Sequence, residues 1–306
     1  MSSPSLNGVR LAFSDIRLAH SVFALPFAVL GAFLASPAFR PDPVPGHAAR
    51  FAAQLALIVL CMVAARTWAM LINRIADRVF DAANPRTARR AVASGRLPVR
   101  DAWGVAGAAA TVFLAACALF WVFFRNSWPL ALGAPTLGWI ALYSYTKRFT
   151  ALCHLVLGSA LAFSPIAAAI AVNPSSLTAT PALWFLAAMV VCWVAGFDIL
   201  YATQDIDFDR ETGLKSIPAA LGPRAAAWAS RLLHVAAFAC LVFAYRAEPR
   251  FSAVFAAAIA GVAALLVSEH AYLARKGIAG LPISFGVING IVSIAVGTLG
   301  VVDIFV

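Results

Sequence analysis

Of the thirteen carboxylates in the 306 residues, seven fall in two short stretches. The first reads Asn73-Arg74-Ile75-Ala76-Asp77-Arg78-Val79-Phe80-Asp81, and the second runs from Asp198 through Asp205, Asp207 and Asp209 to Glu211. Asn73, Asp77 and Asp81 recur every four residues and so form one stripe on a helix. Asp198, Asp205 and Asp209 likewise share a helix face. Like charges at this spacing repel by roughly 0.2–0.5 kcal/mol per pair, and beside hydrocarbon the cost of a charge rises to a few kcal/mol. Divalent cations offset that cost. Mg²⁺ prefers carboxylate oxygens and leaves coordination positions for water and substrate phosphate. Two such stripes facing each other suggest Mg²⁺ held between protein and a diphosphate. A solvated, charged helix end accounts for either stretch taken alone.

Basic residues accompany both stretches. Arg74 and Arg78 interleave with the first, Lys215 follows the second, and Lys147 and Arg148 close an apolar run between them. Carboxylates for metal with Lys and Arg for oxyanions is the pattern of a phosphate-ester site. The same basic residues also serve the positive-inside bias of membrane proteins. Arg66 differs, because it precedes Asn73 by seven residues and therefore shares its stripe, deeper in the apolar run.

The elements that position these residues are membrane helices. The chain is 62% hydrophobic and 12% charged, with a mean hydropathy of +0.87. A soluble domain carries about 25% charged residues, so this composition excludes one, and it excludes disorder as well. Nine apolar stretches follow, at 18–36, 51–72, 104–124, 128–145, 152–172, 183–203, 225–246, 251–274 and 283–302. Each is close to the 20 or so residues that span a bilayer, and none alternates with a period of two. The expected fold is all-α: a single polytopic domain over 1–306, with nine transmembrane helices around a central cavity open to the cytoplasmic side. Sixteen Lys and Arg fall on the N-terminal side of this topology and five on the other. That bias places the N-terminus in the cytoplasm, the C-terminus outside, and the loops 73–100 and 204–224 in the cytoplasm. The second, fourth and sixth runs then end on one face, where both acidic stretches lie. The net charge of +10 belongs to those loops, and nothing points to nucleic acid. The five cysteines sit in apolar runs without a CxxC and read as small hydrophobes. Gly286 and Gly290 fit a GxxxG contact in the last run. Of the five histidines, His20 alone is expected near the acidic face.

The two motifs resemble those of the UbiA superfamily of intramembrane prenyltransferases. Its NxxxDxxxD pattern falls on Asn73, Asp77 and Asp81, continuing as Asn84-Pro85-Arg86-Thr87-Ala88 and Ser94-Gly95-Arg96. Its DxxYAxxDxxxD pattern falls on Asp198, Tyr201, Ala202, Asp205 and Asp209, followed by Gly213-Leu214-Lys215-Ser216. The segment Tyr143-Ser144-Tyr145-Thr146-Lys147-Arg148 and the offset of Arg66 also fit, so the resemblance spans all nine runs. Two departures bear on the acceptor and the loop. Arg89-Arg90-Ala91 stands where the family often has Asn-Arg-Pro. Residues 17–27 look more like the futalosine-route menaquinone branch than like members acting on 4-hydroxybenzoate.

The resemblance implies Mg²⁺-dependent transfer of a polyprenyl group from a polyprenyl diphosphate to an aromatic acid, 4-hydroxybenzoate or a dihydroxynaphthoate, in respiratory quinone biosynthesis at the cytoplasmic (inner) membrane. Asn73, Asp77, Asp81, Asp205 and Asp209 are the implied metal set, with Asp77, Asp205 and Asp198 in catalysis. Arg74, Arg78, Lys147, Arg148 and Lys215 are implied for the diphosphate. Arg66, Arg17, Tyr143 and Tyr201 are implied for the acceptor, with Tyr145 a further ring beside the allylic cation. Two other classes stay open on sequence. A secondary transporter calls for Gly/Pro-broken helices at the bilayer midplane in both halves. A phosphotransferase acting on CDP-activated alcohols also uses spaced aspartates, but carries a DGxxAR pattern that this chain lacks.

Overall fold

The computed structural model describes residues 11–12, 23–39 and 47–306, and among these no β-strand occurs. Nine α-helices of eleven or more residues form the bundle: α1 (Leu25–Ala35), α2 (His47–Ala76), α3 (Val99–Phe124), α4 (Trp128–Thr146), α5 (Cys153–Val172), α6 (Ala182–Ala202), α7 (Ile217–Ala247), α8 (Ala253–Lys276) and α9 (Asn289–Asp303). Among the described residues, seven segments are long and apolar enough to cross a membrane. The protein is therefore an integral membrane protein, with seven of the nine expected spans established among the described residues. Helix α1 has 11 residues, about 16 Å at 1.5 Å per residue, and residues 18–22 of its expected run lie outside the described residues. Helix α4 has the length, at 19 residues, but Pro129, Pro135, two glycines and several hydroxyl side chains dilute its apolar character.

Helix α6 is the axis of the bundle. Trp193, Leu183, Leu186, Met189 and Ile199 are fully buried in it, and it packs most extensively against α7 and α5. Phe23, Phe27, Trp193 and Phe197 build its aromatic centre by edge-on and tilted ring contacts, the arrangement that ring quadrupoles favour. The large exposed side chains, among them Trp121, Phe123, Leu232 and Val267, cover the outside, as expected where the neighbour is lipid. All five cysteines are free.

Close helix approach is set by glycine, at other positions than expected. Gly286 has open space where a Cβ would stand, because it lies in a π-helical segment, Ile283–Ile288, that opens α9. The tight contacts of α9 are at Gly297 against Pro26 and Gly300 against Leu30. Between α5 and α6 a Cβ on Gly158 would stand 2.4 Å from the Val191 carbonyl oxygen, so this pair of backbones has no room for any side chain.

Helix α7 is kinked where its sequence requires it. Gly222 takes φ 82° and ψ 169° ahead of Pro223, a conformation open to glycine and reinforced by the clash that bars α geometry before proline. The straight part of α7 therefore starts at Pro223, close to the start of the apolar run at 225.

Gly158→Ala is expected to lower stability by about 1–3 kcal/mol, the usual cost of overpacking. Gly107→Ala, whose Cβ meets nothing within 4 Å, should change it by less than about 1 kcal/mol and in the stabilising direction. Thermal unfolding of both variants in detergent checks the pair.

Candidate active site

Both acidic motifs are built the same way. Helix α2 runs to Ala76, breaks at Asp77 (φ −92°, ψ 4°), and resumes as the short helix Arg78–Ala83. Helix α6 runs to Ala202, tightens into a 3₁₀ turn over Thr203–Asp205, breaks at Asp205 (φ −110°, ψ 9°), and resumes over Ile206–Thr212. Both break-point aspartates occupy the sparsely populated bridge region between α and β. Four residues beyond each stands a buried carboxylate, Asp81 and Asp209. The stripe survives the first break because the helical ladder does. The Asp77 amide donates to the Asn73 carbonyl (2.9 Å) and the Asp81 amide to that of Asp77 (2.7 Å), and Asn73 Nδ2 donates to Asp77 Oδ2 at 2.9 Å.

The ends of α2, α4 and α6 meet at one end of the bundle. Arg148, just past α4, donates to the Ala76 carbonyl at 2.6 Å and lies 3.5 Å from Asp77. Lys147 stands 3.9 Å from Asp209, and its carbonyl accepts from the Lys215 amide at 2.6 Å. The turn segment after the first motif crosses to the second. Arg86 donates through Nε and Nη2 to the two oxygens of Asp205, at 2.9 and 2.6 Å, and Asn84 Nδ2 adds a third bond at 3.1 Å. Arg90 folds back to grip Asp81 at 2.7 and 2.9 Å. Each of Asp77, Asp81, Asp205 and Asp209 thus has its own cation, in Arg148, Arg90, Arg86 and Lys147. Arg86 and Arg90 supply this charge from residues whose reach across the fold the sequence does not display.

The electrostatics remain strained at one point. Burial pushes the Asp77 carboxyl up to about 6, and neighbouring Asp81 adds to the shift, while Lys147, Arg148 and Arg90 oppose it without cancelling it. Burial alone would lower Lys147, but Asp209 and Asp198 outweigh it and hold the ammonium protonated.

The remaining expected residues divide by position. Arg74 donates to Asn73 Oδ1 at 3.1 Å. Arg78 is exposed and bonds the Ile75 carbonyl, and Lys215 is exposed with its Nζ 3.3 Å from the Phe149 carbonyl. Both stand at the rim. Tyr145 lies under the Arg148 guanidinium, 4.8 Å from its ring centroid. Tyr201 packs on Phe285 at 4.4 Å and accepts from Arg86 at 3.3 Å. Arg66 is deeper. Its Nε is buried without a hydrogen-bond partner, and Tyr143 lies within electrostatic reach of Arg66, Asp77 and Asp198. Arg17 and His20 lie outside the described residues. Sequence reasoning missed His154, whose Nδ1 is 2.7 Å from Asp198 Oδ2. A lone histidine in an apolar run gives no signal of its own.

The site's donor set fits Mg²⁺. Its oxygens are hard, and although no three His, Cys, Asp or Glu converge on one point among the described residues, Mg²⁺ binds through one or two carboxylates and fills its shell with water and phosphate oxygens. A cavity of about 520 Å³ lined by Arg50, Gln54, Arg125 and Asn126 sits at the opposite ends of these helices and holds none of the carboxylates.

A sequence profile described as the UbiA prenyltransferase family matches residues 24–289. The chain is 32% identical over 162 residues to a 4-hydroxybenzoate octaprenyltransferase of Francisella tularensis subsp. novicida, covering 53% of this chain and 54% of that one. It is 33% identical over 162 residues to the like-named protein of Azotobacter vinelandii, at 52% of each. The chain thus spans about half the length of the curated relatives it matches. Among solved structures, the apo form of a UbiA homolog from Aeropyrum pernix K1 superposes with a TM-score of 0.80 at 34% identity, covering 94% of this chain and 98% of that one. A UbiA homolog from Archaeoglobus fulgidus, bound to DMAPP and Mg²⁺, shares the fold at a TM-score of 0.65 and 18% identity, over 98% and 99%. These matches displace the transporter and CDP-alcohol readings. With the profile covering most of its length and a full-length structural counterpart at 34% identity, the chain belongs to the UbiA prenyltransferase family.

Proposed function

We propose that this protein transfers a polyprenyl group from a polyprenyl diphosphate to an aromatic acid, with Mg²⁺, in respiratory quinone biosynthesis. The observation that carries the reading is the meeting of two identically built aspartate junctions, Asp77/Asp81 and Asp205/Asp209, at one end of the bundle inside a ring of Arg and Lys. The names of the curated relatives support 4-hydroxybenzoate as an acceptor, with a dihydroxynaphthoate as the other candidate of the same class. The DMAPP and Mg²⁺ held by the Archaeoglobus homolog support the donor and the cation. The positive-inside bias supports a cytoplasmic membrane with this face in the cytoplasm.

Asn73, Asp77, Asp81, Asp205 and Asp209 would hold Mg²⁺, which when bound supplies charge neutralisation to the diphosphate. Arg74, Arg78, Lys147, Arg148 and Lys215 hold the diphosphate oxygens and stabilise the charge that develops as the allylic C–O bond breaks. The first loop serves this directly, since its Arg86 and Asn84 reach across to Asp205 of the facing motif. Tyr143 and Tyr201 present ring faces to the allylic cation. The acceptor ring then attacks the allylic carbon, and Asp198 orients its hydroxyl. Arg66 pairs with the acceptor carboxylate. It lies on the Asn73 stripe about 10 Å deeper at 1.5 Å per residue, which is where a ring facing the allylic carbon belongs. Arg17 is the second candidate for this pairing.

Incubation of the purified protein with Mg²⁺, a prenyl diphosphate and 4-hydroxybenzoate, read by mass spectrometry, tests the reading. EDTA is expected to abolish product. Asp77→Ala and Asp205→Ala should each lower turnover by about 100-fold or more, the loss of one strong charge-stabilising contact. Full turnover in EDTA would remove Mg²⁺ from the account.

Arg66→Ala should raise the acceptor KM by about one to two orders of magnitude, since a charge-assisted pair is worth roughly 1.5–3 kcal/mol. The KM for prenyl diphosphate should hardly move. Steady-state kinetics with each substrate varied in turn distinguishes this from a role for Arg66 in the phosphate clamp.

A further inference from the structure

His154 is the second residue of α5 and is fully buried. Its two ring nitrogens face different partners. Nδ1 lies 2.7 Å from Asp198 Oδ2, and Nε2 accepts from the backbone amide of Ile217 at 3.4 Å. A backbone amide only donates, so the nitrogen facing it is the bare one and the ring proton is on Nδ1. Nδ1 is therefore the donor aimed at one oxygen of Asp198. The other oxygen, Oδ1, has no hydrogen bond among the described residues, and the Asp198 side chain keeps 15% of its surface exposed. A carboxylate with one oxygen pinned and one open is a proton acceptor held at a set angle. Tyr143 and Lys147 are the other groups within electrostatic reach of Asp198.

We propose that His154 is a positioning residue for Asp198, fixing its rotamer so that Oδ1 takes the proton of the acceptor's ring hydroxyl. This rests on the prenyl-transfer reading above. In the step, the acceptor O–H bond breaks and the proton passes to Asp198 Oδ1. The freed electron pair enters the ring and raises the nucleophilicity of the ortho carbon. That carbon bonds the allylic carbon left cationic when the C–O bond broke and the diphosphate took its electron pair. The ring carbon then loses its hydrogen as a proton to solvent, and Asp198 returns its proton to the ring oxygen. One proton is released per diphosphate, and Asp198 ends ionised, as it began. Removing the Nδ1 donor leaves Asp198 free to rotate, so the loss falls on an acceptor whose hydroxyl must be deprotonated.

The experiment compares His154→Leu, which lacks the donor, with His154→Asn, whose Nδ2 stands near the place of Nδ1. Two acceptors are used: 4-hydroxybenzoate, and 2,6-difluoro-4-hydroxybenzoate, whose more acidic hydroxyl is ionised at assay pH and whose carbons ortho to that hydroxyl keep their hydrogens. His154→Leu should lower kcat with the parent acceptor by about 10- to 100-fold, the range of one hydrogen bond to a charged group. The loss should shrink to a few-fold with the fluorinated acceptor, the KM for prenyl diphosphate should be unchanged, and His154→Asn should recover most of the activity. Equal losses with both acceptors, or no recovery by His154→Asn, would overturn the proposal. Asp198→Asn supplies the same comparison if His154→Leu does not fold: it must lose turnover with the parent acceptor and retain it with the fluorinated one, and equal losses again overturn the proposal. A wild-type protein that prenylates neither acceptor would instead count against the prenyl-transfer reading itself.

Discussion

Four carboxylates crowded at one end of an apolar bundle set the terms for the rest of this structure. Two unit charges 4 Å apart repel by about 1 kcal/mol in water and about 4 kcal/mol at a dielectric near 20, so grouping Asp77, Asp81, Asp205 and Asp209 is costly unless cations intervene. The protein places one beside each. Arg86 and Arg90 come from the turn after the first motif, and Lys147 and Arg148 from the end of α4. The Asp77 carboxyl is nevertheless held up near 6.

The fold serves that cluster in two ways. It sets α6 at the centre, with apolar rings and small residues on its flanks, so that the second motif emerges from the most buried span. It also breaks both motif helices at an aspartate, Asp77 and Asp205, with a buried carboxylate four residues beyond each. Cross-links then fix the facing pair. Arg86 ties the first loop to Asp205, and Ser216 donates to Asp209 at 2.8 Å from the turn ahead of α7. Losing the Arg86 tie disturbs both motifs, because the first loop is held by the second motif's carboxylate.

Much of this was legible in the sequence, for identifiable reasons. The four-residue spacing of Asn73, Asp77 and Asp81 survives as a stripe because the helical ladder continues through the break. The seven-residue offset of Arg66 placed it on the same face, and Gly222-Pro223 marks the start of the straight part of α7. Other features depend on contacts between residues distant in sequence. Arg86 and Arg90 sit in a basic loop whose charges all look alike until the turns are drawn, and only then does one reach Asp205 and the other Asp81. His154 had no spacing motif to announce it, since its partner lies 44 residues away on the next span. Gly286 fitted a packing motif, but the π-helical segment turned it away from any neighbour.

The central claim is that both junctions bind one diphosphate through Mg²⁺, and a direct binding measurement tests it without any chemistry. A non-hydrolysable prenyl thiodiphosphate is titrated calorimetrically into the purified protein, with and without Mg²⁺, for the wild type and for Asp81→Asn and Asp209→Asn, one change in each motif. The account predicts that tight binding requires Mg²⁺ and that either substitution weakens it by about tenfold or more, the value of a single charge-assisted contact. Binding of equal strength without Mg²⁺, or binding that ignores one of the two motifs, would contradict it.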